Sequence, residues 1–285
     1  MRPCGAILGC ADIDIRAAPR ALVVEGIEAM HRRTFLACGS LVALGATSAL
    51  ASPKARSFTV DARVVLQSYQ ALVEQHLTDV LHAIRALAAT SDARSASWSA
   101  IRPALDRLSQ DLATSATVWF AQPDGGYAST EGVSAGATLA DRDYFPELMA
   151  GRDVIGRLVV SKSTGHRSII VATPVEKDGR VVAAIGVSIR ARLVSQLVAD
   201  RMRLPQGVSF YALDPNGQAA IHMDPERMFQ FPAELGEASL KSAVATILSQ
   251  TRGSVDYRFG GKSRTAIFDK SDVTGWHFVL VRVHE

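Results

Sequence analysis

The chain has 285 residues and a formal net charge of +3, from 31 basic and 28 acidic side chains. This near balance excludes neither fold nor enzyme class, but it argues against a nucleic-acid or other polyanionic partner. The three cysteines, Cys4, Cys10 and Cys38, all precede residue 51, so the rest of the chain folds without disulfides. That remainder is long enough to bury one sizeable core or two small ones.

Residues 30–51 have the pattern of an export signal. Arg32 and Arg33 are followed by an uncharged run rich in Leu, Ala and Gly, which ends in Ala-Leu-Ala, a pattern that signal peptidase cuts. Arg-Arg-x-Phe-Leu is also the core of the twin-arginine signal. We therefore expect a periplasmic or secreted protein; the alternative is an uncleaved helix anchored in the inner membrane. Met30 is a natural start, and residues 1–29 are interpreted as a mis-called upstream extension.

The segment 58–111 is predicted to hold a long helix over 60–90 and a second helix over 98–112. The first prediction depends on apolar side chains at steps of three and four residues. These positions are Val65, Tyr69, Leu72, Val73, His76, Val80, Ile84 and Leu87. The resulting stripe could pack on the chain's own sheets or on a second subunit, so a homodimer through this helix is one alternative.

Residues 112–204 are predicted to form an antiparallel sheet. TVWFAQ, the turn PDGG and YAST indicate a β-hairpin. Further strands are predicted at 157–161, 167–175 and 181–189, and their short connections require antiparallel pairing. The only helix inserted in the sheet is a short one after DRDYF. Five antiparallel strands with a helix after the second are the layout of a PAS-like module.

A helix over 191–202 leads to a second module, residues 205–285. VSFYAL, the turn DPNG and QAAIH repeat the strand-turn-strand order, so that VWFAQPDGG is echoed by FYALDPNGQ. A helix over 238–248 and three more strands follow. The predicted fold class is therefore α+β, with a long N-terminal helix followed by two PAS-like antiparallel-sheet modules.

Several parts of the chain resemble the double Cache sensor domains: the long helix, VWFAQPDGG, DRDYF, SKSTGHRSIIVATPV, DGRVVAAIGVSI and GWHFVLVRV. The resemblance covers residues 58–285. These domains are the extracytoplasmic ligand-binding parts of bacterial chemoreceptors, histidine kinases and cyclic-dinucleotide enzymes. The resemblance implies that residues 112–204 are the membrane-distal module, which holds a small ligand.

The resemblance also implies which side chains bind that ligand. Arg142-Asp143-Tyr144-Phe145 resembles the Arg-x-aromatic-aromatic motif that seats a ligand carboxylate. A guanidinium offers two oxygens a fixed fork of donors, and Tyr144 would wall the pocket. The alternative for Arg142 is a surface cation paired with Asp141 or Asp143. The weaker candidates for the site are Trp119, Tyr127, Ser161 and Ser188.

Two departures from the family pattern bear on the ligand and the partner. Members that bind amino acids carry an aspartate where this chain has Ser188, and without it the ligand's ammonium would be desolvated with no counter-charge. A carboxylate or another small organic anion is therefore expected. Family members also usually lie between two membrane helices, and no second such helix is expected between the sheets and Glu285. The expected protein partner is a membrane-bound sensor kinase or chemoreceptor.

Two other functions are weighed against sensing. One is a periplasmic solute-binding protein for an importer. The other is a secreted hydrolase, because GVSAG at 132–136 matches G-x-S-x-G with Ser134 as nucleophile. His222 and Asp214 would be its partners, but the serine lies in a loop rather than between a strand and a helix. Neither a metal nor a cofactor is predicted, and GGKS at 260–263 is interpreted as a hairpin turn.

Overall fold

The computed structural model describes residues 12–14, 59–112, 116–132, 138–161 and 165–284. The predicted export signal at 30–51 and the Ser134 motif lie outside these residues. Among the helices of the described ranges, none is both long and apolar enough to cross a membrane. A short antiparallel ribbon pairs β1 (Asp12–Asp14) with β2 (Thr59–Asp61) ahead of the first helix.

The remaining elements follow the predicted order. The helices are α1 (Ala62–Ala88), α2 (Ser91–Arg94), α3 (Trp98–Asp111), α4 (Phe145–Met149), α5 (Ala191–Met202) and α6 (Ala238–Ser249). The first sheet contains β3 (Ala116–Ala121), β4 (Tyr127–Ser129), β5 (Val154–Val160), β6 (Arg167–Lys177) and β7 (Arg180–Arg190). The second contains β8 (Val208–Leu213), β9 (Ala219–His222), β10 (Arg252–Phe259), β11 (Lys262–Lys270) and β12 (His277–Val283).

Both sheets have five antiparallel strands, and they share one topology. The first has the order β4-β3-β7-β6-β5, and the second has the equivalent order β9-β8-β12-β11-β10. In each, the last strand of the sequence lies in the centre and pairs with the strand that opens the sheet. The predicted α+β class, with a long helix and two PAS-like sheets, is confirmed.

Helix α1 packs on both sheets. Asp61 caps it by accepting a hydrogen bond from the Arg63 backbone N–H (2.8 Å). The buried positions are centred one residue away from the predicted stripe. They include Leu66, Tyr69, Val73, Leu77, Val80, Leu81 and Ile84, whereas Val65, Leu72, His76 and Leu87 are only half-buried. The face centred on these residues is covered by the chain's own sheets; a homodimer through the rest of α1 stays a prediction.

Side chains of the sheets alternate between a helix-facing side and an outer side, as the pleat requires. In β3, Val118 and Phe120 belong to the core around α1, and Trp119 belongs to a separate outer cluster with Tyr144. The two modules also meet directly, because the Trp276 indole N–H donates to the Gly156 carbonyl (3.0 Å).

Replacing Tyr69 by phenylalanine should leave stability unchanged or raise it by up to about 1 kcal/mol. The Tyr69 ring packs on Phe210 and Phe278 with centroids 5.1 Å apart in each pair. Its hydroxyl is buried without a hydrogen-bond partner among the described residues, and burial raises its pKa. Removing it therefore removes a desolvated polar group and keeps the ring contacts. Urea unfolding measures the change, and a loss above about 1 kcal/mol would reveal a hydroxyl partner.

Candidate ligand-binding site

One cavity on the outer side of the first sheet brings together all the predicted site residues. Hereafter it is called the first cavity. The six predicted residues that line it are Trp119, Tyr127, Arg142, Tyr144, Ser161 and Ser188, and the rest of its described wall is Thr117, Ser129, Leu139, Val159 and Ile170. Alternation on the strands and the turn before α4 therefore place side chains from distant parts of the sequence around one space.

A tight turn holds Arg142 and Tyr144 over the sheet. The Arg142 N–H donates to the Leu139 carbonyl (2.9 Å), and the Phe145 N–H donates to the Arg142 carbonyl (3.0 Å). Tyr144 is the N-cap residue directly before α4, and its side chain is almost fully buried. Pro146 is in the first turn of α4, where the fixed φ of proline already suits a helix. The turn thus fixes Arg142 at the edge of the cavity and Tyr144 in its wall.

The Arg142 guanidinium is incompletely satisfied. Its Nη2 donates to the Val160 carbonyl (2.9 Å), while its Nε is buried and has no partner among the described residues. The pairing of Arg142 with Asp141 or Asp143, considered as the alternative, stays a prediction. A buried cationic N–H without an acceptor is costly unless an anion satisfies it.

Trp119 forms the floor of the first cavity. Its indole lies over Gly186 of β7 so closely that a Cβ added to Gly186 would be 2.0 Å from the ring. The indole N–H donates to the Ser188 hydroxyl oxygen (3.2 Å). The Ser188 oxygen is therefore used as an acceptor, and its own proton can be donated into the cavity. Gly186 is the positioning residue that sequence reasoning missed; the available signal was a glycine inside a strand.

The described wall of the first cavity has one cation, Arg142, and no carboxylate. Burial raises the pKa of Tyr144 far above its ordinary value, and the nearby Arg142 charge opposes that rise. The phenol is therefore protonated at neutral pH and can act as a donor. This combination suits an anionic group and offers nothing to a ligand cation.

The first cavity is narrow. Its volume is about 30 Å³, enough for about one or two water molecules, whereas typical ligand pockets have roughly 300–1,000 Å³. Even a small organic acid would require the wall to move. Trp119, the largest side chain in the wall, and the turn that carries Arg142 are the parts whose displacement would make room.

The two residues nominated as partners of Ser134 lie in the second module, and Ser134 itself lies outside the described residues. Asp214 is a turn residue, because its carboxylate accepts from the backbone N–H groups of Asn216 (3.0 Å) and Gln218 (2.8 Å). His222 is on β9 at the other module's outer face. The described parts of the chain hold no group of three or more His, Cys, Asp or Glu side chains suited to a metal ion. GGKS forms the β10–β11 turn, with positive φ at both Gly260 and Gly261.

A long helix that carries two PAS-like sheets, with a cation-bearing cavity on one outer face, defines a bimodular ligand-binding sensor domain. A family model described as Cache domain matches residues 56–285. The chain therefore belongs to the Cache domain family, which confirms the resemblance in the sequence. Cache domains are extracytoplasmic sensor domains, and the family and its structural neighbours are sensory ligand-binding domains rather than enzymes.

Solved structures agree with this assignment at the level of fold. The ligand-binding domain of Campylobacter jejuni chemoreceptor Tlp3 with 4-methylisoleucine is similar with a TM-score of 0.60 and 15% identity, over 77% of this chain and 88% of that one. The ligand-binding domain of Pseudomonas aeruginosa PAO1 amino acid chemoreceptor PctB with L-Arg has a TM-score of 0.61 and 14% identity, over 78% and 93%. No curated protein matches the chain significantly.

Proposed function

We propose that this Cache protein senses a small organic carboxylate that lacks an α-ammonium group, and binds it in the first cavity through Arg142. The single observation that carries the proposal is the buried Nε–H of Arg142, which has no acceptor among the described residues. A carboxylate oxygen at this nitrogen would supply the missing acceptor and a counter-charge together.

The other polar groups of the wall complement an oxygen-rich ligand. Ser188 can donate its hydroxyl proton because its oxygen already accepts from Trp119. Tyr144 remains protonated and lies in the same wall. Ser161 and Tyr127 add a hydroxyl each to the lining. A carboxylate would therefore meet one charged and several neutral donors, which is the usual composition of a small-anion site.

The lining also bears on selectivity. The similar domains named above are from receptors described with amino acids bound or as amino acid chemoreceptors. In this chain the described wall has no carboxylate to pair with an ammonium, since Ser188 occupies the position predicted to match the family aspartate. Burying an unpaired ammonium beside Arg142 would cost both desolvation and like-charge repulsion. We therefore expect propionate to bind in preference to alanine, which differs from it by one amino group.

The narrow cavity suggests how binding becomes a signal. A ligand must displace part of the wall, and the floor residue Trp119 belongs to β3, whose neighbours Val118 and Phe120 pack in the core around α1. A shift of β3 would therefore change the packing of this core on α1. The partner that reads such a difference between bound and free states would be a membrane-bound sensor kinase or chemoreceptor on the extracytoplasmic side.

A thermal-shift comparison of acetate, propionate, glycine and alanine tests the site. At about a hundred times its dissociation constant, a bound acid should stabilise the protein by about 2.7 kcal/mol, or roughly 5–10 °C. Arg142→Ala should abolish the shift. Arg142→Lys should retain only part of it, because a lysine keeps the charge and loses the fork.

The matched control is Arg152→Ala, which removes an exposed arginine ten residues further along the chain and outside the cavity wall. Unliganded Arg142→Ala should change stability by less than about 1 kcal/mol, because the unsatisfied buried Nε–H and the Nη2 hydrogen bond to Val160 are removed together. An equal ligand shift in wild type and Arg142→Ala would contradict the proposed seat. A larger shift with alanine than with propionate would contradict the proposed ligand class.

A further inference from the structure

A larger cavity lies on the outer face of the second sheet, and is called the second cavity below. Its volume is about 270 Å³, close to the lower end of the roughly 300–1,000 Å³ range of small-molecule sites. It lies between the five strands of the second sheet on one side and the segment that leads into α6 on the other. All of its lining residues belong to the described part of the chain.

The two cavities occupy equivalent places in the two modules. Trp119 and Tyr211 each lie four residues before the proline of the following turn, and each is on the strand that pairs with the last strand of its sheet. Thr117 and Trp119 line the first cavity, and the equivalent Ser209 and Tyr211 line the second. The repeated fold has therefore formed the same concavity twice. In the second module it is more open, because the position of Trp119 holds the smaller tyrosine.

Arg264 gives the second cavity an uncompensated positive charge. Its guanidinium lies 5.4 Å from the centroid of the Phe259 ring, and its Nε makes only a long hydrogen bond to the Phe259 carbonyl (3.4 Å). No carboxylate among the described residues lies within salt-bridge distance of it. Arg227 stacks on the same ring at 4.9 Å, but Asp224 neutralises it through a 3.2 Å contact. Arg264 is thus held in place by stacking while its forked donors stay available.

Two neutral groups add donors beside this charge. The Tyr211 side chain is 6% exposed, and its hydroxyl is buried next to Tyr257 without a hydrogen bond of ordinary geometry. His222 stacks on Tyr211 with ring centroids 5.9 Å apart. Burial lowers the pKa of His222 to about 4, with the Arg227 charge acting in the same direction, so the ring is neutral at pH 7. Its Nδ1 accepts from the Asp224 N–H (2.8 Å), so the proton is on Nε2, which is a donor.

The remaining wall is apolar. Leu240 of α6 and Val281 of β12 are buried in it, and Met223 and Leu235 at its rim are 41% and 40% exposed. A ligand that satisfied Arg264 and Tyr211 at one end would cover these side chains with its other end. The chemistry therefore matches a monocarboxylic acid with a branched or aromatic apolar body, which is larger than the acids expected in the first cavity.

We propose that the second cavity is an independent binding site for a small apolar monocarboxylate, seated on Arg264 and Tyr211. The protein would then have two anion sites of different size on one scaffold, one in each module. This site does not depend on the proposed role of Arg142, and either can fail without the other.

Isocaproate, which is leucine without its amino group, is the probe. Its binding is measured by calorimetry on the Arg142→Ala protein, in which the first cavity has no cation. We expect binding there with the same affinity as in the wild type. Arg264→Gln should weaken it about tenfold or more, since a charge-assisted hydrogen bond is lost. Tyr211→Phe should weaken it severalfold with little change in stability, because the hydroxyl makes no hydrogen bond of ordinary geometry in the unliganded site and only a weak contact with Tyr257.

Arg258→Gln is the matched control, because this exposed arginine is on β10 next to Phe259 and lies outside the cavity wall. It should leave isocaproate binding unchanged. Failure of isocaproate to bind the Arg142→Ala protein, or unchanged affinity in Arg264→Gln, would overturn the second site. Tighter binding of leucine than of isocaproate would overturn the ligand class, because it would mean that Asp224 pairs with an ammonium.

Discussion

Trp276→Ala should lower the free energy of unfolding by about 3–5 kcal/mol and the melting temperature by roughly 10 °C or more. The indole is completely buried in the core that α1 shares with both sheets. It lies 6.1 Å from the Phe278 ring and donates to the Gly156 carbonyl of the other sheet (3.0 Å). Alanine would leave a cavity between the modules and a carbonyl without its donor, so both losses act together.

Trp276→Phe separates the two losses. It keeps most of the apolar contact and removes the donor, so we expect a cost of about 1–2 kcal/mol. Trp98→Ala is the control for tryptophan removal as such, since Trp98 is only half-buried on α3 and should cost less. Calorimetric unfolding of the four proteins provides the comparison. If Trp276→Ala cost less than about 1 kcal/mol, the contact with Gly156 would not be a principal link between the modules.

Periodicity in the sequence was enough to predict most elements, and the exceptions have local physical causes. Helix α5 has the predicted bounds because its amphipathic run follows directly on an apolar strand. Helix α2 was missed, since four residues cannot display a helical period; Thr90 caps it by accepting from the Ala93 N–H (3.3 Å). Strand β5 begins three residues earlier than predicted because Gly156, with φ +80°, forms a bulge that interrupts the alternation.

The sequence was enough to nominate the residues that line the first cavity, but not to predict the shape or volume of that cavity. The family resemblance and strand alternation put six side chains on one cavity, and their role in binding stays a prediction. Neither could show that the Trp119 indole lies over Gly186 and fills most of the room, because this depends on the register between β3 and β7. The second cavity could not be predicted from the sequence for the same reason. Arg264 and Tyr211 are far apart in sequence and meet only through the pairing of β8, β12 and β11.

The two modules are expected to bind different ligands because their cavities differ in size. Both use the outer face of a sheet beside a helix, and both place a cation at its edge. In the first, an indole on a glycine closes the floor and leaves about 30 Å³; in the second, Tyr211 faces Val279 across the strand pair and about 270 Å³ remains. Ligand size is thus set by the aromatic residue at one repeated position and by its cross-strand neighbour.

Gly186→Ala should destabilise the protein by about 3 kcal/mol, at the upper end of the usual cost of overpacking, and should abolish carboxylate binding in the first cavity. The new Cβ would be 2.0 Å from a ring atom of Trp119, and a rigid indole cannot yield by rotating a flexible end. The added methyl would push the ring away from β7 and into the first cavity, so its hydrogen bond to Ser188 (3.2 Å) is lost and the ligand has less room. Tryptophan fluorescence should report this displacement, and thermal unfolding in the presence of propionate should report the loss of binding.

A double-mutant cycle with Trp119→Leu assigns the effect to this one contact. Leucine leaves space above residue 186, so in the Trp119→Leu background the added methyl should cost less than about 1 kcal/mol. The difference between the two backgrounds, about 2 kcal/mol or more, is the coupling between Gly186 and Trp119. An equal cost in both backgrounds would place the strain in the β7 backbone instead. The glycine would then be a requirement of the strand, and Trp119 would be free to move when a ligand enters.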